Sequence, residues 1–329
     1  MRSSRIASVR PALTFAAVLG GLVASTYAAW LGVPGLAGRI RHISLAERPP
    51  GADYYLAHDR GGHLDHHVLY HAVDPVAMRH LRDADVLFVG TSRMMFALRP
   101  SVLSPWASAN GLTYYALGFG HRDGDEWVLE IIRRHDLRPK LVVANVDGFF
   151  GQPRSSWANR VRRDSRFGAV KLQIEGEAGH EARRAIHRVM PNWIDLYGRP
   201  GFPFGNEFIA YRSRENGAWQ VSPWPEASMD APAEDFAVEA VGERIASPAR
   251  AFKAELDRRG AQLVLTHVPT PDRGAGNPVS LGSLLGVPVV GMDVDGLTSH
   301  DGSHLSEESA LAWSRRLTQD LQRYLPGAR

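Results

Sequence analysis

The stretch Asp85–Met94, DVLFVGTSRM, most constrains what this chain can fold into. Its first half is a short, almost unbroken apolar run rich in β-branched and aromatic residues, the pattern of a strand buried on both faces of a parallel sheet. The run stops at Gly90, which permits a tight exit. Thr91 and Ser92 follow, and Arg93 to Leu98 can begin a helix. Ser92 is thereby predicted at the carboxyl edge of a sheet and at a helix N-terminus. Ligands bind at that edge of open α/β sheets, and free backbone N–H groups there suit a developing negative charge. Ser92 is a candidate nucleophile, although serine at such a turn also serves as a plain helix N-cap.

The far end of the chain supplies what such a nucleophile needs. In Asp295–Ala310, DGLTSHDGSHLSEESA, an aspartate stands three residues before a histidine, in a Gly/Ser-rich loop ahead of a long helical pattern. A nucleophilic serine requires a base within hydrogen-bond reach and a group that orients the base. Asp301 and His304 offer both from one turn. His121 and His300 are competing bases, and Asp293 and Asp295 are competing orienting groups.

The Gly90-Thr91-Ser92 turn after the first strand and the Asp301-x-x-His304 motif before the last helix resemble the SGNH (GDSL-like) hydrolase superfamily. Within it, the chain is most similar to membrane-anchored envelope members that accompany acylation of polysaccharide or teichoic acid. The likeness spans residues 84–150 and 247–325. It is not the Gly-x-Ser-x-Gly elbow of α/β-hydrolases, because Met94 stands where the second glycine would be. The resemblance implies a doubly wound parallel α/β sheet of flavodoxin-like type and an acyl-Ser92 intermediate. The implied substrate is an acyl ester, most directly an O-acetyl ester, of envelope polysaccharide, and a membrane-bound acyltransferase is an implied partner. A catalytically weak scaffold that assists such an acyltransferase is the alternative.

The strand and helix patterns give the same architecture. Thr113–Leu117 and Lys140–Val146 read as the second and third strands, with an amphipathic helix over Asp123–His135 between them. Late in the chain come a helix over Pro248–Arg259, strands over Ala261–Val268 and Val287–Met292, and a closing helix over Leu305–Tyr324. Strands alternating with helices mean a parallel sheet. Loops after the second and third strands then face Ser92. In the first of them, Gly118 and Gly120 would let backbone approach a substrate closely. Family members begin this block with an asparagine whose backbone helps form the oxyanion hole. Ala116 stands there, so only main-chain donation from about Gly118 to His121 carries over. In the other loop the family's asparagine amide falls on Asp147, with Asn145 two residues earlier. An ionised aspartate only accepts hydrogen bonds. Either Asn145 substitutes, Asp147 binds a substrate hydroxyl, or backbone amides alone form the hole.

Composition narrows the classes. The 329 residues, 44% hydrophobic, suffice for one large domain or one domain with an insertion. Lys plus Arg number 38 against 35 acidic residues, a net charge of +3 that gives no reason to expect nucleic acid. Cysteine is absent, which excludes disulfides, thiolate zinc sites and a cysteine nucleophile. No cofactor is called for. Arg2, Arg5 and Arg10 precede an uncharged span over 11–38. This predicts either a single membrane-crossing anchor over 1–40, with the rest in the periplasm beyond the inner membrane, or a signal peptide cleaved near Thr26–Ala28.

Residues 41–83 read as a polar connection ending in a short helix over Asp74–Arg82. Its histidines His58, His63, His66, His67 and His71, with Asp59 and Asp65, suggest an exposed loop, with a metal site as the sharper alternative. Residues 151–246 read as an insertion near the active edge, a lid or carbohydrate platform. It carries Trp157, Trp193, Trp219 and Trp224, and a basic run of Arg160, Arg162, Arg163, Arg166 and Lys171. The plainer account is that the rings pack the insertion onto the sheet and the basic run is a solvated helix face.

Overall fold

The structure is a computed structural model and describes residues 51–59, 62–120, 123–189, 209–222, 229–230, 240–269, 277–292 and 294–325. The chain divides into two compact units, 1–46 with 183–206 and 47–182 with 207–329. Apart from the end of one helix, every described element lies in the second unit.

Five parallel strands form its centre: β3 (Val86–Val89), β4 (Tyr114–Ala116), β5 (Leu141–Asn145), β9 (Gln262–Thr266) and β10 (Val289–Val290). They lie side by side in the order β10-β9-β5-β3-β4. Counted along the chain this is 2-1-3-4-5, the flavodoxin-like doubly wound order, whose switch point lies between β3 and β5. Register aligns Val86 with Tyr114 on one side and with Leu141 on the other. The exits of β3, β4 and β5 therefore open at one edge.

Helices cover both faces because the strand residues alternate. Leu87, Val89, Val142, Ala144, Leu263 and Leu265 pack with Trp127, Ile131 and Ile132 of α5 (Asp125–Arg134), Phe252 and Leu256 of α8 (Glu243–Arg258) and Leu281 of α9 (Pro278–Leu285). Val86, Phe88, Leu141, Val143 and Val264 pack instead with Met94 and Met95 of α3 (Ser92–Ala97), Leu103 of α4 (Pro100–Ala109) and Trp313 and Leu317 of α10 (Glu307–Leu321). Burial at roughly 25 cal/mol per Å² on both faces is the main force holding the layers. Local signals set the helix ends. Asp74 caps α2 (Pro75–Arg82) by accepting from the amides of Val76 and Ala77, with Pro75 at the first helical position.

Two expectations are corrected. Among the described residues no helix is long and apolar enough to cross a membrane, which overturns the single-pass inner-membrane placement. The segment on which that placement stood, 11–38, lies outside the described residues.

The described residues of 54–71 are not an exposed loop. They form β1 (Tyr54–Asp59), β2 (Gly62–His63) and α1 (Leu64–Tyr70), and Asp65, His66, His67 and His71 are buried. Each of these histidines has a fixed partner: His66 bonds Asp65 and Asp123, His67 bonds Asp164, and His71 bonds the Val161 carbonyl. A polar sequence is interior here because partners for its side chains arrive from other elements.

Where it is described, the insertion packs into the fold, as the plainer account expects. It contributes α6 (Ser156–Val161), α7 (Arg166–Val189) and the hairpin β6 (Ile209–Ser213) and β7 (Trp219–Ser222). That hairpin joins β1 and β2 in an antiparallel sheet ordered β2-β1-β6-β7. Trp219 is buried, and Trp157 donates its indole N–H to the His63 carbonyl at 2.7 Å. The basic run is distributed among neighbours: Arg160 faces Asp164, Arg162 Glu130, Lys171 Glu175, and Arg163 and Arg166 backbone carbonyls. Trp193 and Trp224 lie outside the described residues.

Candidate active site

Ser92 opens α3 directly after the β3 exit. Thr91 is the N-cap, its hydroxyl accepting from the Arg93 amide, so Ser92 itself is spared the capping role. Gly90 is required by close approach: a Cβ there would sit 2.7 Å from the Met94 Cβ and 3.1 Å from the Asn145 Cβ. Ser92 is half-buried at the switch point of the sheet.

The loop before α10 comes to this turn. Its base is a short antiparallel pairing: Ser299 bridges Leu305, the Ser299 hydroxyl donates to the His304 carbonyl at 2.7 Å, and the His300 amide donates to the same carbonyl at 3.1 Å. Ser306 caps the helix by accepting from the Ser309 amide. The segment Thr298–Ser299 (β11) also pairs with Met229–Asp230 (β8) of the insertion. Fixed in this way, His304 places Nε2 2.9 Å from the Ser92 Oγ and Nδ1 2.7 Å from Asp301 Oδ2. The other Asp301 oxygen accepts from the amides of Ser303 and His304 at 2.8 and 2.7 Å. Burial works against the Asp301 charge, but its hydrogen bonds and the nearby imidazole outweigh it and hold the carboxyl well below the usual range. Phe96 packs on the His304 ring with centroids 4.3 Å apart, and the His300 ring stacks on that of His304 at 5.6 Å.

Of the competing groups, Asp295 is exposed. His300 reaches Asp301 at 3.5 Å and bonds the Leu305 carbonyl, and burial lowers its pKa. His121 and Asp293 lie outside the described residues. Among the described residues, Asp301 is the carboxylate bonded to His304 Nδ1.

At the β5 exit, the Asn145 carbonyl oxygen accepts from the Val268 amide at 2.9 Å, tying β5 to the end of β9, and its NH2 group, the part that could serve an oxyanion, takes no part in that bond. Asp147 is buried beside the serine turn. Thr91 donates to both of its oxygens at 3.4 Å, and the Arg93 Nε lies 3.5 Å away. Arg93 Nε also donates to Ser303 Oγ at 3.2 Å, joining both halves of the site. Burial raises the Asp147 pKa to about 6, against the opposing charges of Arg93 and His267. Gly118 and Gly120 are buried at the neighbouring β4 exit. A Cβ at Gly118 would meet the Met95 sulfur at 2.6 Å, and one at Gly120 would meet the His63 ring at 2.8 Å.

Sequence reading missed the buried group behind this loop. His66 lies between Asp65 (2.9 Å) and Asp123 (2.8 Å), and Asp65 also pairs with the buried Arg212 at 3.0 Å. Burial opposes the His66 charge, yet the two carboxylates raise its pKa to about 9. Ligand atoms of His63, Asp65 and His66 come within 4.8 Å of one another. Both His66 nitrogens are already bonded to carboxylates, so an imidazolium occupies the place a metal would take. Only the Asp-His dipeptide hinted at this group, since Asp123 and Arg212 are distant in sequence.

The strand order, the serine turn after the first strand and the Asp-x-x-His loop before the last helix make a flavodoxin-like α/β fold, arranged as the resemblance to the SGNH (GDSL-like) hydrolases implies. Two solved structures are similar to the chain: a putative acylhydrolase from Bacteroides fragilis NCTC 9343 and a GDSL-like lipase from Bacteroides thetaiotaomicron VPI-5482. Each is 13% identical with a TM-score of 0.35, and they cover 76% and 78% of this chain and 94% and 100% of their own. No protein-family model and no curated protein matches it.

Proposed function

We propose that the protein is a serine esterase or O-acyltransferase working through an acyl-Ser92 intermediate. The observation that carries the reading is the continuous chain Ser92 Oγ, His304 Nε2, His304 Nδ1, Asp301 Oδ2, with links of 2.9 and 2.7 Å. Asp301 accepts from Nδ1–H and so fixes the tautomer that leaves Nε2 free to take the serine proton. The Ser92 oxygen attacks the ester carbonyl, and the tetrahedral oxyanion rests on main-chain amides of Ser92 and of the Gly118–Gly120 loop. The collapsing intermediate expels the alcohol, which receives the proton from His304. Water or a sugar hydroxyl then takes the acyl group by the reverse sequence.

Asp147 takes no oxyanion role while ionised. Arg93 offsets its charge, and the Asp147 side chain has no exposed surface. The motif resemblance supports an acyl ester carried on a polyhydroxy compound, of which an O-acetylated polysaccharide is the proposed case. The buried carboxylate also favours a second reading, a scaffold partner of a membrane-bound acyltransferase with little activity of its own.

Acetate release from acetylated sugars and p-nitrophenyl acetate, by wild type and by Ser92→Ala, tests the reading. Release that Ser92→Ala abolishes is expected. Equal release by both sinks the serine mechanism, and none from wild type favours the scaffold.

A further inference from the structure

Arg212 is a guanidinium with no exposed surface, reaching from the insertion to the loop beside Ser92. Nη1 bonds Asp65 Oδ2 at 3.0 Å, while Nη2 bonds two carbonyls of one loop, Ala116 at 2.5 Å and Gly118 at 3.1 Å. The guanidinium also lies over the Phe119 ring, 5.2 Å from its centroid. A planar fork of fixed donors can hold a carboxylate on one side and carbonyls on the other, which an ammonium cannot.

The same two peptide planes are held at their opposite edges. The Leu117 amide donates to the Phe88 carbonyl at 2.7 Å, and the Phe119 amide donates to the Gly90 carbonyl at 3.2 Å. A peptide unit is planar, so holding its C=O and N–H fixes its orientation. Both held planes are thus indexed against the end of β3, and the chain that leaves Gly90 reaches Ser92 two residues later. Two further contacts from outside the parallel sheet act on this loop: the Asn216 carbonyl accepts from the Ala116 amide at 2.8 Å, and His63 fills the space beside Gly120. Behind Arg212, Asp65 is bonded to His66 and His66 to Asp123. Asp123 in turn accepts from the Ser155 amide and hydroxyl at 3.0 and 2.8 Å.

We propose that Arg212, braced by Asp65 and His66, is a positioning residue that sets the distance of the Gly118–Gly120 amides from Ser92 and so governs oxyanion stabilisation. The inference rests on the acyl-transfer reading. The insertion thereby acquires a role, holding this loop from behind. Misplacing groups by about 1 Å can lower a rate on the order of 10²-fold, and losing one oxyanion donor has an effect of similar size or larger.

The experiment compares wild type with Arg212→Lys, read by ester turnover, thermal unfolding and the amide resonances of ¹⁵N-labelled Gly118 and Gly120. The expected result is a folded variant in which kcat falls about tenfold or more, KM stays within about threefold, and both glycine resonances move. A lowered unfolding temperature with kcat within about twofold of wild type and unmoved glycine resonances overturns the proposal, because a purely structural arginine would behave so. If Arg212→Lys does not fold, Asp65→Asn, which frees one side of the guanidinium and leaves its carbonyl bonds, is read by the same criteria. Wild type without Ser92-dependent turnover counts against the acyl-transfer reading instead, and the glycine resonances still report whether Arg212 positions the loop.

Discussion

The Arg93 guanidinium stands 3.5 Å from the Asp147 carboxylate, and both side chains are buried beside the serine turn. The pair spans the crevice between β3 and β5, and Arg93 continues to Ser303 of the catalytic loop. One arginine thereby ties the nucleophile's helix to the carboxylate at the β5 exit and to the loop that carries the base.

Asp147 gives a stability dependence of definite sign. Its carboxyl is raised from the ordinary 3.8 to about 6 by burial. Between those values the native state binds more protons than the unfolded state, so stability falls as pH rises through the window. The difference is worth roughly 3 kcal/mol at most. Asp147→Asn should remove this part of the loss, so the variant gains on wild type as unfolding temperatures are followed from pH 4 to pH 7. A constant difference over that range would show that Asp147 titrates normally.

His66 behaves oppositely. Held between two carboxylates, its pKa is raised to about 9. The stabilisation it provides is fully present below its unfolded value near 6.5 and disappears as pH rises through 9. His66→Gln leaves Asp65 and Asp123 without their shared cation and should lower stability at pH 7 by about 3 kcal/mol or more. Denaturant titrations at pH 7 and pH 10 should show the two proteins converging at the higher pH. An undiminished gap at pH 10 would mean that the imidazolium charge is not what stabilises the cluster.

Asp301→Asn keeps the shape of the orienting residue but removes the charge that favours Nδ1–H. Turnover should fall on the order of 10³-fold or more with KM nearly unchanged, as when the wrong histidine tautomer is held. Steady-state kinetics on the folded variant decides this, and a drop below about tenfold would point to His300 or another group as sharing the orienting role.

Gly118→Ala tests the tight approach of the β4 exit to α3. The new Cβ would lie 2.6 Å from the Met95 sulfur and 3.0 Å from the Gly90 carbonyl. The carbonyl belongs to the turn and cannot yield without moving Ser92. Turnover should therefore fall about tenfold or more while unfolding stays cooperative. Unchanged turnover in a folded variant would place the loop outside the reacting geometry.

Much of this was legible because it is local or periodic. The run Val86–Val89 ends at a glycine, and the closing loop carries its aspartate and histidine three residues apart, so the structure could place them on one turn. The buried half of the 54–71 segment was not legible. Its histidines look hydrophilic until Asp123, Asp164 and Val161 are brought to them from 57 to 97 residues away. Nor does any sequence signal pair Tyr55 with Arg212, or make an arginine of the insertion the partner of Ala116 and Gly118. Asn145 is a candidate oxyanion donor on type alone, and no sequence signal announces that its carbonyl also holds β9.

The most direct test of the central claim is the site and rate of fluorophosphonate labelling in the whole protein, located by peptide mass. A serine activated by His304 should carry the adduct at Ser92 in wild type, none in Ser92→Ala, and label at least about 100-fold more slowly in His304→Ala. An unlabelled wild type, an adduct on another residue, or equal rates with and without His304 would contradict it.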